Sequence, residues 1–145
     1  MTVADYSTIT SQTGGRDQTW LASDHGLSTG QSRTLDVSKF TSGTHYDANT
    51  KVLYSGIGLA KITASGLYGP YDTTATDGRE TALDSFLLFE EPLLLPNGAT
   101  STKVAVAVLQ HGFIIPANLP IAAQRAGGAS DVTAADTVGQ FVFES

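Results

Sequence analysis

The sequence predicts a mainly β fold with short helices, and three features predict it. Threonine, glycine and serine are abundant, at 19, 15 and 13 of 145 residues; threonine suits pleated strands, and glycine weakens helix interiors and marks turns. Apolar and polar residues alternate in short runs bounded by Gly, Ser, Asn and Asp steps. The longest unbroken apolar stretch, Val104 to Leu109, is strand-sized.

Residues 1–31 read as a flexible N-terminal arm, and residues 32–145 as a β-rich domain. The arm is dominated by Thr, Ser, Gly, Gln and Asp, too polar to offset its ordering entropy. Its apolar pair Trp20 and Leu21 is either a core anchor or a contact for a partner. From Arg33 the pattern alternates: Arg33, Leu35 and Val37 face one way, and Thr34, Asp36 and Ser38 the other. Short strands follow at Lys51–Tyr54 and Leu59–Ala64, with a Ser65-Gly66 turn leading into Leu67–Tyr71. Asp72 to Thr81 reads as a polar loop, and Ser85–Glu90 as an extended segment, after which Pro92 and Pro96 allow only an edge or loop.

Asn97-Gly98 predicts a two-residue type I′ hairpin turn, since both residues tolerate positive φ. The strand Thr102–Leu109 carries Val104, Val106 and Val108 on one face and Ala105, Ala107 and Leu109 on the other, which predicts cover on both faces. Asn118 as cap and Pro120 at the first position predict a short helix through Ile121–Ala123 that stops at Gly127-Gly128. A second short helix is expected from Asp131 to Val138, and a closing strand at Gln140–Glu144.

Charge and composition restrict the partners. A net charge of -6 and a pI near 4.7 argue against a phosphate-neutralising surface, so direct nucleic-acid binding is not expected. Without cysteine there is no disulfide framework, thiolate metal site or thiol nucleophile. The N-terminus lacks a basic start and apolar core, and no stretch reaches membrane-span length, so a soluble intracellular product with no membrane partner is expected.

Catalytic motifs are missing: there is no nucleophile elbow, Walker loop or zincin helix. Gly56-Ile57-Gly58 lacks the third glycine and the long helix of a dinucleotide loop. His45 and Asp47 would share a strand face, but two ligands do not make a zinc site, and a locally hydrogen-bonded His45 is the simpler reading. Asp24-His25 lies in the arm, and His111 sits at a strand end. Asp72, Asp77 and Glu80 lack the spacing of a calcium loop. Glu90 and Glu91 are adjacent, so on a strand they face opposite ways. No cofactor, metal or enzymatic activity is expected.

From Gly56 to Asp72 the chain reads GIGLAKITASGLYGPYD, with DTTATDGRETA from Asp72 and SFLLF from Ser85. This resembles the central segment of the phage head decoration proteins, capsid-stabilising proteins similar to the lambda head protein D. The matching positions are the strand Gly58 to Lys61, the Ser65-Gly66 turn, Pro70-Tyr71 and Asp77-Gly78; TLDVSKFT from Thr34 and the closing QFVFE also fit. The likeness spans roughly residues 32–145, apart from the longer N-terminal segment and the GGASDVTAAD spacer.

The resemblance implies a compact β-barrel-like or β-tulip-type domain, made in the host cytoplasm and carried on the outer surface of the virion. It implies homotrimers at local three-fold positions of an expanded shell, stabilising it against packaged DNA. On that reading the arm, from about Thr13 to Val37, pairs as an added strand with the major capsid protein through Trp20, Leu21, Leu27, Arg33, Leu35 and Val37. His111, Phe113 and Ile114 fall at the trimer interface. The alternative is a glycan-binding adhesion module on a virion surface, with Trp20, Tyr68 and Tyr71 as a stacking platform.

Overall fold

The computed structural model describes residues 19–22 and 31–144. Among these residues the strands are β1 (Gln31–Asp36), β2 (Val52–Leu53), β3 (Gly58–Lys61), β4 (Tyr68–Pro70), β5 (Ser85–Leu87), β6 (Glu91–Pro92), β7 (Lys103–Leu109), β8 (His111–Ile114) and β9 (Gln140–Phe143). Five of them close a barrel in the order β1-β4-β3-β5-β7, while β2–β6 and β8–β9 form two-stranded sheets. The molecule is mainly β, as its composition and alternation predict.

The longest ladder is antiparallel, running from Gln31↔Val108 to Asp36↔Lys103 between β1 and β7. In this register Leu35, Val106 and Val108 turn inward and are buried, whereas Ser32, Thr34, Ala105 and Ala107 face outward and are exposed. The expected cover on both faces of β7 is therefore absent within the described chain. The valines carry the burial, and nothing described packs over the alanines. On its other side β1 joins β4 in parallel through one register pair, Leu35↔Tyr68.

The resemblance-bearing segments assemble into one wall. β3 and β4 pair antiparallel from Leu59↔Pro70 to Lys61↔Tyr68, and their connection is closed by hydrogen bonds from Ile62 N to Leu67 O and from Gly66 N to Ile62 O. The Asp77-Gly78 loop folds back onto this hairpin, where Thr63 N donates to Asp77 O at 2.9 Å. Gly78 has φ +110°, and a Cβ there would collide with Thr63, so the close return requires glycine.

Two apolar clusters fill the interior. One gathers Leu35, Phe40, Leu53, Ile57, Leu59 and Leu87; the other gathers Trp20, Leu83, Phe86, Leu109, Ile114 and Val132. The second includes a residue assigned from sequence to the arm. Trp20 is 1% exposed, its Nε1 donates to Ser55 Oγ at 3.1 Å, and its ring lies 5.8 Å from that of Phe86. Leu21 bridges to Ile114, fixed by Ala22 N to Phe113 O and Ile115 N to Trp20 O. Gly56, at φ +92°, gives Trp20 its place, because a Cβ would lie 2.7 Å from the indole.

Two local expectations change. The turn after β6 is a three-residue loop rather than type I′: Gly98 N donates to Leu95 O, Leu95 N donates to Ala99 O, and Gly98 takes φ +89° while Asn97 does not have positive φ. Pro96 sets the first turn position, and glycine supplies the left-handed step that closes such loops. The two expected helices are single 3-10 turns, Ala122–Gln124 and Val132–Ala134, and a further such turn spans Pro116–Asn118. Asn118 does not cap; its Nδ2 donates to Thr19 O, and Asp131 instead accepts from Thr133 N. Gln124 is drawn inward, its Nε2 donating to Gly58 O and Tyr71 O and its Oε1 accepting from Gly58 N.

Candidate functional site

The strand alternation that buries Leu35 turns Arg33 to the same inner face, at the mouth of the barrel. There Arg33 Nε donates to Asp84 Oδ2 at 3.0 Å, with side chains 18% and 6% exposed. Asp84 also accepts from Ser85 Oγ at 2.8 Å and Gln110 Nε2 at 3.3 Å, so the buried carboxylate is neutralised and hydrogen-bonded. Arg33 Nη1 donates to Ser32 O, and the guanidinium lies 5.3 Å above the Tyr68 ring centroid. Arg33, Asp84 and Tyr68 line a cleft of about 520 Å³ together with Lys61, Thr63 and Thr81. Val138, 64% exposed, stands at its rim.

A second polar depression surrounds the acidic loop. Asp77 is held by Arg79 Nε at 3.0 Å and Lys39 Nζ at 3.4 Å. Asp72 accepts from Thr74 Oγ1, which keeps its carboxyl below the usual range, and Glu80 accepts from Gly78 N. Each of the three carboxylates considered for calcium is thus committed to a local partner. His45 Nδ1 accepts from Thr41 N at 2.8 Å, matching the locally bonded reading. Burial, reinforced by the charge of Arg79 and opposed by Asp72, lowers its pKa to about 4. Asp47 faces Asn49 N and Thr50 N, whose hydrogen bonds lower its pKa.

The structure places most of the residues assigned to partner contacts within the protein's own fold. Trp20, Leu35 and Val37 are buried in the protein's own core, Leu21 is partly buried against Ile114, and Arg33 is tied to Asp84. Their side chains are engaged within the described protein, not presented to a partner. Leu27 lies outside the described residues, as does most of the 1–31 arm; Thr19–Ala22 is docked on the domain and β1 starts at Gln31. Of the expected trimer contacts, Ile114 is fully buried, Phe113 partly buried and His111 exposed. The stacking platform does not form either, because Trp20 and Tyr71 are both buried, at 1% and 6% exposure, and only Tyr68 reaches the surface cleft.

Sequence reasoning missed Asp84 and Lys61 as partners in one cleft, and Gln124 as a buried clamp. A polar residue in an apolar strand context, Asp84 before SFLLF, was the available signal for the first; the others depend on register. No protein-family model, curated protein or solved structure matches the chain.

Proposed function

We propose that the protein is a structural virion component that binds the outside of an expanded phage capsid as trimers at local three-fold positions and stabilises it against DNA pressure. The observation that carries this reading is the β3–β4 wall. The segments that resemble the decoration proteins, Gly58 to Lys61, Ser65-Gly66, Pro70-Tyr71 and Asp77-Gly78, converge on a single hairpin and its returning loop. The exposed outer face of β1 and β7 adds support. Ser32, Thr34, Ala105 and Ala107 give it a weakly polar centre of small side chains, with Asp36 and Lys103 opposite each other at one end, so a neighbouring subunit can approach that centre closely. With Trp20 anchored in the core, the clamp on the capsid protein is left to the chain ahead of Trp20 and to the outer β1–β7 face, not to the inward side chains of β1. Three clamps on one trimer raise effective affinity by about 10² to 10⁴ when their geometry matches the shell. The role requires no turnover.

Cryo-microscopy of the parent particle tests the proposal. The expected result is β-rich density of this fold on the outer surface at local three-fold positions; its absence from mature heads that contain the protein's own capsid partner would refute the proposal.

A further inference from the structure

We infer that the cleft at the barrel mouth is a receptor for an extended acidic segment of a protein partner, with a carboxylate taken by Lys61 and Arg33. Lys61 is exposed and forms no ion pair among the described residues, unlike Arg33, Lys39 and Arg79. Arg33 uses Nε and Nη1 on Asp84 and Ser32; among the described residues its Nη2 makes no hydrogen bond. Because Asp84 is neutralised by Arg33 and satisfied by Ser85 and Gln110, Lys61 leaves the residues that line the cleft with one net positive charge in a molecule whose total is -6. An ionised carboxylate there gains charge-assisted hydrogen bonds.

The backbone specifies a peptide rather than a sugar. β1 is paired with β7 along its full length, but on its other side it meets β4 only at Leu35↔Tyr68. Residues 31–34 therefore have no strand partner on that side among the described residues, and Arg33 among them lines the cleft. An unpaired strand edge binds extended peptide by main-chain hydrogen bonds, with side-chain pockets adding specificity. One face of the Tyr68 ring is already covered by Arg33, which disfavours stacking of a sugar ring. A cleft of about 520 Å³ lies within the range of ligand-sized sites.

The inference needs no shell, so its test is separate from that of the decoration reading. The full-length protein is titrated with hexaglutamate and, as control, hexaglutamine, following backbone amide resonances. The expected result is shifts confined to Thr34, Lys61, Tyr68 and Thr81 with the acidic peptide only, weakened by added salt. Lys61→Gln, at an exposed position, is expected to lose about tenfold in affinity, the loss of one charge-assisted hydrogen bond, and Lys61→Arg to retain binding. No shift, shifts elsewhere on the surface, or equal binding by Lys61→Gln would overturn the inference. Peptide binding without shell binding leaves it standing and removes the decoration reading; shell binding without peptide binding does the reverse.

Discussion

Trp20 is a residue whose role is settled by tertiary packing rather than by its neighbours in sequence. A lone indole in a polar stretch is compatible with either a core anchor or a docking contact, and composition cannot decide between them. The decision lies in groups remote in sequence, Ser55 and Phe86, and in the space left by Gly56. Trp20→Ala is expected to cost about 3 to 5 kcal/mol of folding stability, as for other buried aromatic truncations, measured by chemical denaturation; a loss under about 0.5 kcal/mol would mean that the ring is not packed. His45 makes a pH prediction. Its folded pKa, about 4 against 6.5 for the free side chain, means that the unfolded chain binds the extra proton first. The stabilisation it reflects is complete above 6.5 and is lost as pH falls from there towards 4. Melting temperature should fall across that window, above the range in which Asp72 and Asp131, whose pKa values hydrogen bonds from Thr74 and Thr133 lower, become protonated. His45→Gln should flatten the fall, and an unchanged profile would contradict the assignment.

Strands were more legible than the helices and the contacts between elements. Alternation located β1 and β7, since burying one face leaves a period-two signature in Leu35, Val106 and Val108. The strand at His111–Ile114 escaped because its alternation carries little signal: of its two buried positions one is Gly112, and Phe113 on the other face is only partly buried. The expected short helices are single 3-10 turns, and the first of them ends on Gln124, whose side chain turns inward to Gly58 and Tyr71. That clamp is a testable element: Gln124→Leu leaves the Gly58 N–H and two carbonyls without it and is expected to destabilise by about 1 to 3 kcal/mol. The outer β1–β7 face carries the opposite expectation. Ala105→Arg should change folding stability by no more than about 0.5 kcal/mol, because the position is exposed, yet weaken shell binding or trimer formation by blocking close approach. Unaltered assembly would remove that face from the proposed interface.

The whole molecule is a closed β-barrel with a docked tryptophan segment, and this moves the boundary between body and arm. Sequence composition put it near residue 31 because polarity changes there, but the core extends back to Trp20. Removing residues 1–31 is now expected to unfold or severely weaken the domain, because it takes away Trp20 and Leu21, whereas a shorter truncation that stops at residue 18 keeps both. If the shorter truncation folds and still binds as tightly as the intact protein, the clamp does not lie ahead of Trp20. The acidic, charge-poor composition is compatible with a position outside a DNA-filled head, but it did not reveal the positive cleft, which arises only when Arg33, Lys61 and Asp84 are brought together by three different segments. The most direct test of the central claim is to add purified protein to expanded, empty shells of the cognate phage and measure bound copies and shell melting temperature together. The account predicts saturable binding at three copies per local three-fold site and a higher melting temperature of the shell; absence of binding to correctly expanded shells, or binding with no stabilisation, would contradict it.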